Sequence, residues 1–282
     1  MSNRITQNQK LMVFMLSMSV FGLSELVTQI VPEISFGPID LNVAYFAFIP
    51  VTLAALFAPA SVALGAVTGS VIFSGLLMGD FGGIGELEGF IQLSIGIYVA
   101  GMLISNPLSK KQILIASWVC VGSDKLGGGI VDTLKVVLAI EQFEAVAGLP
   151  ESIYVLEGIA FLTDWIIAGF FFGALPAMYL VPKLYGKIEP LLGMKPREKR
   201  PEVDFSFMSF KKVLVALALF VISGLVAFMD ELDYKPGVFE PEFIEQIGLN
   251  YLYLMIAVTF VVVVAIVWFI RSSSRNRTYE FE

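Results

Sequence analysis

Eight runs of apolar residues, each about as long as a bilayer core is thick, dominate this chain. They lie at about 11–31, 41–58, 60–79, 89–106, 112–142, 153–182, 211–229 and 250–270. A helix rises about 1.5 Å per residue, so some 20 apolar residues cross a hydrocarbon core of about 30 Å. Backbone in lipid must satisfy its own N–H and C=O groups, and long single runs do so as helices. Of 282 residues, 57% are hydrophobic and only 15% are charged, against about 25% charged in soluble domains. Too little polar surface is left to cover the chain in water. The expected fold is therefore all-α, a polytopic helical membrane protein with about eight transmembrane helices. The fifth and sixth runs exceed one crossing and must tilt, kink or leave the bilayer in part. The first run is interrupted by Glu25 and followed by no clean small-residue cleavage site, so it is read as a helix and not as a cleaved signal.

Charge placement gives the direction of each crossing. Lys and Arg gather before the first run (Arg4, Lys10), after the fourth (Lys110, Lys111), after the sixth (Lys183, Lys187, Lys195, Arg197, Lys199, Arg200) and in the tail (Arg271, Arg275, Arg277). The alternate connections are acidic, with Glu33 and Asp40, then Asp80, Glu86 and Glu88, then Glu141, Glu144 and Glu151, and then 230–245. Basic loops stay in the cytoplasm, so both termini are expected inside. The net charge of −7 belongs mostly to the outer face and implies no nucleic acid. A proline-rich interval, 186–210, with Pro190, Pro196 and Pro201, reads as a cytoplasmic linker. It divides a six-helix membrane domain, 1–185, from a two-helix hairpin, 211–282, with an acidic outer loop.

Several chemistries are missing from the sequence. There is no histidine, which removes the commonest ligand for late transition metals and the usual base near neutral pH. Cys120 stands alone in an apolar run and reads as a core residue. No GxxxxGK[ST], HExxH, GxSxG or CxxC occurs. No catalytic residue, metal site or cofactor is expected, and ATP-driven movement of a solute would need a second chain to supply the ATPase.

The polar residues inside apolar runs carry the functional information, because charge at membrane depth is costly and faces a cavity or a partner. In the fifth run, Asp124 and Lys125 precede Gly127, Gly128 and Gly129, and Asp132 follows. The three glycines are expected to break the helix, either against a polar cavity or as a loop at the outer interface. Asp132 and Lys135 are three apart and able to pair. In the sixth run, Tyr154, Glu157, Asp164 and Trp165 cluster, with Glu157 and Asp164 on one face. Asp164 needs a partner, for which Lys125 is the candidate, or a ligand. The loop 79–89 holds five glycines with Glu86 and Glu88, suited either to close approach of a ligand or to a plain acidic turn. Gly65, Gly69 and Ser70 form a small-residue stripe, fit for packing within the chain or for docking a partner subunit.

Residues 49–72, IPVTLAALFAPASVALGAVTGSVI, carry a proline-led apolar helix, a tight turn at Ala58-Pro59 and a glycine-bearing helix. This pattern resembles the second and third helices of the S components, the substrate-capture subunits of energy-coupling factor (ECF) transporters. The resemblance implies a six-helix unit in a prokaryotic plasma membrane. It would bind a small-molecule substrate, typically a vitamin or precursor, at its outer face. It would work with a transmembrane coupling subunit and cytoplasmic ATPases. Mapped by layout, the family's pocket falls on Asp40, Asn42, Glu86, Glu88, Gln92, Asp132, Tyr154 and Glu157. The first run lacks the family's AxxxA motif and carries Ser and Gly instead, and the chain adds two helices to the usual six. Two other readings stand beside this one. A stand-alone ion-coupled transporter or channel would use Asp124, Lys125, Asp132 and Asp164 as a relay. A membrane-embedded enzyme or assembly protein would use paired carboxylates such as Glu86 and Glu88.

Overall fold

The structure is a computed structural model. It describes residues 5–28, 34–36, 39–41, 43–77, 81–138, 140, 146, 149–200, 203 and 209–232. The eighth apolar run, 250–270, lies outside the described residues. Among them, six helical runs are long and apolar enough to cross a membrane: Gln7–Thr28, Pro59–Leu76, Gly83–Leu103, Lys110–Val137, Pro150–Leu184 and Phe210–Met229. The protein is a multi-pass helical membrane protein.

Helix α1 (Gln7–Thr28) keeps its hydroxyls satisfied at depth. Ser17 donates to Val13 O at 2.8 Å, and Ser24 donates to Phe21 O at 2.6 Å. A two-stranded antiparallel hairpin follows, β1 (Ile34–Phe36) paired with β2 (Ile39–Leu41).

The second apolar run, 41–58, is not a full-length spanning helix, which corrects the expected count. Only α2 (Phe48–Leu56) is helical, and every residue from Pro50 to Leu56 is buried. Pro50 explains the short start: its ring would clash with the carbonyl of residue 46, so the helix cannot extend far upstream. Gln9, near the start of α1, donates to Gly193 O at 2.6 Å, and nearby Arg197 donates to Ala54 O at 3.2 Å. The start of α1 and the end of α2 thus share one end of the bundle. Irregular backbone at depth is tolerated because protein surrounds it.

Helix α3 (Pro59–Ser70) starts on Pro59, suited to the first helical turn, and runs on as a π-helix over Val71–Leu76. It packs on α1 through backbone. A Cβ at Gly65 would overlap Phe14 O, and one at Gly69 would overlap Met18 O. Ser70 donates to Glu25 Oε2 at 3.3 Å across the same interface. The Gly65–Gly69–Ser70 stripe is therefore occupied inside the chain, where sequence alone left partner docking open.

Helix α4 (Glu86–Leu103) and helix α5 (Lys110–Val137) form the next pair. Glu86 and Glu88 sit in the first turn of α4, where the helix dipole favours carboxylates, and not in the preceding loop. Helix α5 opens on Ser109, whose side chain accepts from Gln112 N. It runs unbroken for 28 residues, through Gly127, Gly128 and Gly129, which corrects the expected break. In lipid the unbroken hydrogen-bond ladder outweighs the roughly 1 kcal/mol each glycine costs a helix. The glycines serve as space: a Cβ at Gly127 would lie 2.8 Å from the Phe220 ring and 2.9 Å from Gln92 Cδ.

The sixth run holds α6 (Ile153–Ile166), a π-helical stretch Ile167–Ala174 and α7 (Leu175–Leu184). Pro176 lacks an N–H, and the widened π register ends just before it. Ser117 on α5 donates to Gly169 O at 2.8 Å, tying α5 to the π stretch.

Residues 185–200 fold back on the bundle. Arg197 donates to Gly101 O at 3.0 Å as well as to Ala54 O, so one guanidinium serves the C-terminal ends of α2 and α4. Burial and neighbouring Arg200 lower its pKa from the ordinary value, though an arginine stays charged. Arg200 N donates to Ser105 O at 3.1 Å.

Helix α8 (Phe210–Glu231) packs on α4 and α5 through Phe220, Ser223, Gly224 and Ala227, spaced i, i+3, i+4 and i+7. Through these contacts α8 packs directly on helices of the 1–185 segment.

Candidate functional site

Three helices line a partly open cavity of about 340 Å3 with charged groups in its walls. Helix α4 supplies Glu88, Gly89 and Gln92; α5 supplies Asp124, Lys125, Gly128, Gly129 and Asp132; α6 supplies Glu157, Ala160, Phe161 and Asp164. On α5 and α6 the lining residues recur at three, four and seven, which is one helical face. The small residues set the width. A Cβ at Gly129 would lie 2.9 Å from Glu157 Oε2, so Glu157 reaches its place only because α5 carries a glycine there.

The charges are arranged in pairs with an acidic remainder. Lys125 Nζ lies 3.3 Å from Asp164 Oδ2, which joins α5 to α6. Lys135 Nζ lies 3.1 Å from Asp132 Oδ1, one turn along α5. Gln92 donates to Glu88 Oε1 at 3.0 Å. Five carboxylates thus line the cavity, with Lys125 in the same wall and Lys135 reaching Asp132 from beside it. Charges of one sign crowded into such a space are relieved by water, by protonation or by a compensating ligand. The volume fits about ten waters at roughly 30 Å3 each, or one small solute.

Aromatic rings back the α6 wall. Phe161 stacks on Trp165 with centroids 5.6 Å apart and planes 22° apart, and Trp165 meets Trp118 at 5.0 Å. The Trp165 indole donates to Trp118 O at 2.9 Å. Lys125 Nζ lies 5.9 Å from the centroid of the buried Tyr45 ring, within cation–π range.

A second, shallower cavity of about 240 Å3 is lined by Gly82, Gly85, Glu86, Glu88, Gly89, Lys135 and Ala227. It shares Glu88 and Gly89 with the deep one. Glu86 Oε1 accepts from Gly82 N at 3.2 Å and shapes its rim.

Residues 12–279 match the model of DUF8171, a family described as of unknown function. The chain belongs to that family. No curated protein and no solved structure matches this DUF8171 chain.

Of the residues singled out from sequence, Glu88, Gln92, Asp124, Lys125, Asp132, Glu157 and Asp164 come together around the deep cavity of the DUF8171 protein. Glu86 lines the shallow one. Trp165 stands behind Phe161, outside the lining. Tyr154 is 59% exposed on α6 and lines neither cavity. Asp40 lies on β2, and Asn42 is outside the described residues. Sequence reasoning noted Gly89, Gly128 and Gly129 only as loop or helix-break glycines and did not select Ala160, Phe161 or Ala227. The first five share helical faces with selected charges, and that periodicity was the available signal. Ala227 had none, because nothing local ties α8 to α4.

Proposed function

We propose that this DUF8171 protein is the solute-capturing membrane subunit of an importer, taking a small cationic solute into the α4–α5–α6 cavity. The observation that carries the reading is the cavity itself, in which five carboxylates line a solute-sized space inside the membrane domain. A cation entering it replaces hydration with carboxylate and aromatic contacts. The solute class is a micronutrient, a vitamin or its precursor. The energy comes from a coupling subunit and cytoplasmic ATPases, since this sequence has no nucleotide-binding loop. The resemblance of residues 49–72 to ECF S components supports that partnership, although the short α2 departs from a plain six-helix layout. The protein sits in a prokaryotic plasma membrane with both termini in the cytoplasm.

One observation favours a second reading, ion-coupled transport by this chain alone. Lys125–Asp164 and Asp132–Lys135 are ion pairs at membrane depth that an incoming cation could open. Purified protein in liposomes separates the two. A capture subunit binds the solute without moving it until its partners and ATP are added. A stand-alone transporter drives uptake by itself when a proton or sodium gradient is imposed.

A further inference from the structure

We infer that the shallow cavity is the entrance to the deep one, and that Gly89 forms the neck between them. The inference rests on the capture reading of the deep cavity and adds the route by which a solute reaches it.

Both cavities are lined by Glu88 and Gly89, so the two spaces meet there. The shallow space is bounded by the glycine-rich turn at Gly82 and Gly85, by the first turn of α4 and by Ala227 of α8. Its acidic groups are Glu86 and Glu88, and its one basic group, Lys135, bonds Asp132. The walls are thus acidic from rim to floor, which favours cations along the whole route. Gly89 is the decisive residue. A Cβ there would meet no atom within 4 Å, although the residue lies inside a helix and lines both cavities. Gly89 stands at the end of the first turn of α4, and packing does not demand a glycine there. Gly127, which a Cβ would drive into Phe220 and Gln92, makes the contrast. Emptiness at position 89 keeps the neck open.

Cysteine accessibility tests the route without a known ligand. The native Cys120 is fully buried and stays silent. In full-length protein in detergent, Gly89→Cys probes the neck and Gly128→Cys probes the floor. A Cβ at Gly128 has only ordinary contacts, 3.8 Å to Gln92 Oε1 and 4.0 Å to Asp132 Oδ2. Both are expected to react with a charged, water-soluble methanethiosulfonate. Relative to free cysteine, the trimethylammonium reagent should be favoured over the sulfonate. Adding Gly89→Leu to Gly128→Cys should slow its reaction at least about tenfold while the protein melts no lower. Leu126→Cys, on the exposed face of α5, should react at least about tenfold more slowly than Gly128→Cys. An unchanged Gly128→Cys rate in the Gly89→Leu background overturns the inference. So does an inert Gly128→Cys beside a reactive Gly89→Cys, or a Leu126→Cys that reacts as fast as Gly128→Cys. The capture reading fails separately: if no solute binds but the labelling pattern holds, the route stands and capture falls. If a solute binds Gly89→Leu with an unchanged association rate, capture stands and the neck falls.

Discussion

Lys125 on α5 and Asp164 on α6 hold their charged groups 3.3 Å apart across the floor of an acidic cavity. Their side chains are 31% and 20% exposed, so the pair is only partly desolvated. Removing one partner leaves a charge at membrane depth without its counter-ion. Lys125→Met or Asp164→Asn should each cost about 1–3 kcal/mol, below the 3–5 typical of a fully buried pair. The double variant should cost less than the sum of the two, because it removes both halves of one interaction. Melting temperatures of the three proteins check this, and strict additivity would show that the two charges do not interact.

The α1–α3 contact makes a sharper stability prediction. A methyl at Gly69 would overlap the Met18 carbonyl, which is backbone and cannot rotate away. Gly69→Ala should cost at least about 3 kcal/mol, at the upper end for overpacking, and should reduce the folded yield. Gly158→Ala on α6, where a Cβ meets nothing within 4 Å, should stabilise by about 0.5–1 kcal/mol. Size-exclusion profiles and thermal melts of the two variants give the comparison.

Gly129 separates a binding role from a packing role. Its Cβ would press on Glu157 Oε2, the far end of a flexible side chain. Gly129→Ala should therefore fold normally but move Glu157 and weaken solute binding by about tenfold, or roughly 1.4 kcal/mol. A variant that melts several degrees lower and binds as before would place Gly129 in the packing alone.

Arg197 ties residues 185–200 to the bundle through Ala54 O and Gly101 O. Arg197→Ala leaves two helix-end carbonyls without this donor and should cost about 1–3 kcal/mol. Lysine presents a single point donor in place of a planar fork, so Arg197→Lys should recover only part of the loss. Limited proteolysis reports the release of the segment, with faster cleavage near Lys195 and Lys199 in the alanine variant.

Much of this was legible from the chain, and the rest was hidden for identifiable reasons. Long apolar runs announced the membrane helices, because lipid makes length and composition decisive. The pairs Asp132–Lys135 and Lys125–Asp164 were readable because a charge in an apolar run needs a partner and few are present. Residues 41–58 misled, since a run with the composition of a span holds only a nine-residue buried helix. Hydropathy does not distinguish burial in protein from burial in lipid. Gly127–Gly129 misled in the opposite sense: glycine can end a helix or make room beside one, and here Phe220, Gln92 and Glu157 fill that room. The docking of α8 on α4 and α5 depends on contacts more than 80 residues apart in sequence, which no local pattern records.

The central claim is that the acidic cavity binds a small cation, and thermal unfolding against a solute panel tests it most directly. The panel holds cationic, neutral and anionic vitamins and precursors with simple inorganic cations, added to purified full-length protein. A ligand of the folded state adds about 2.7 kcal/mol at a hundredfold excess over its Kd. A cationic compound should raise the melting temperature, and Asp124→Asn or Glu157→Gln should abolish the rise. No rise with any compound in a protein that unfolds cooperatively, or a rise confined to anions and indifferent to both substitutions, would contradict the account.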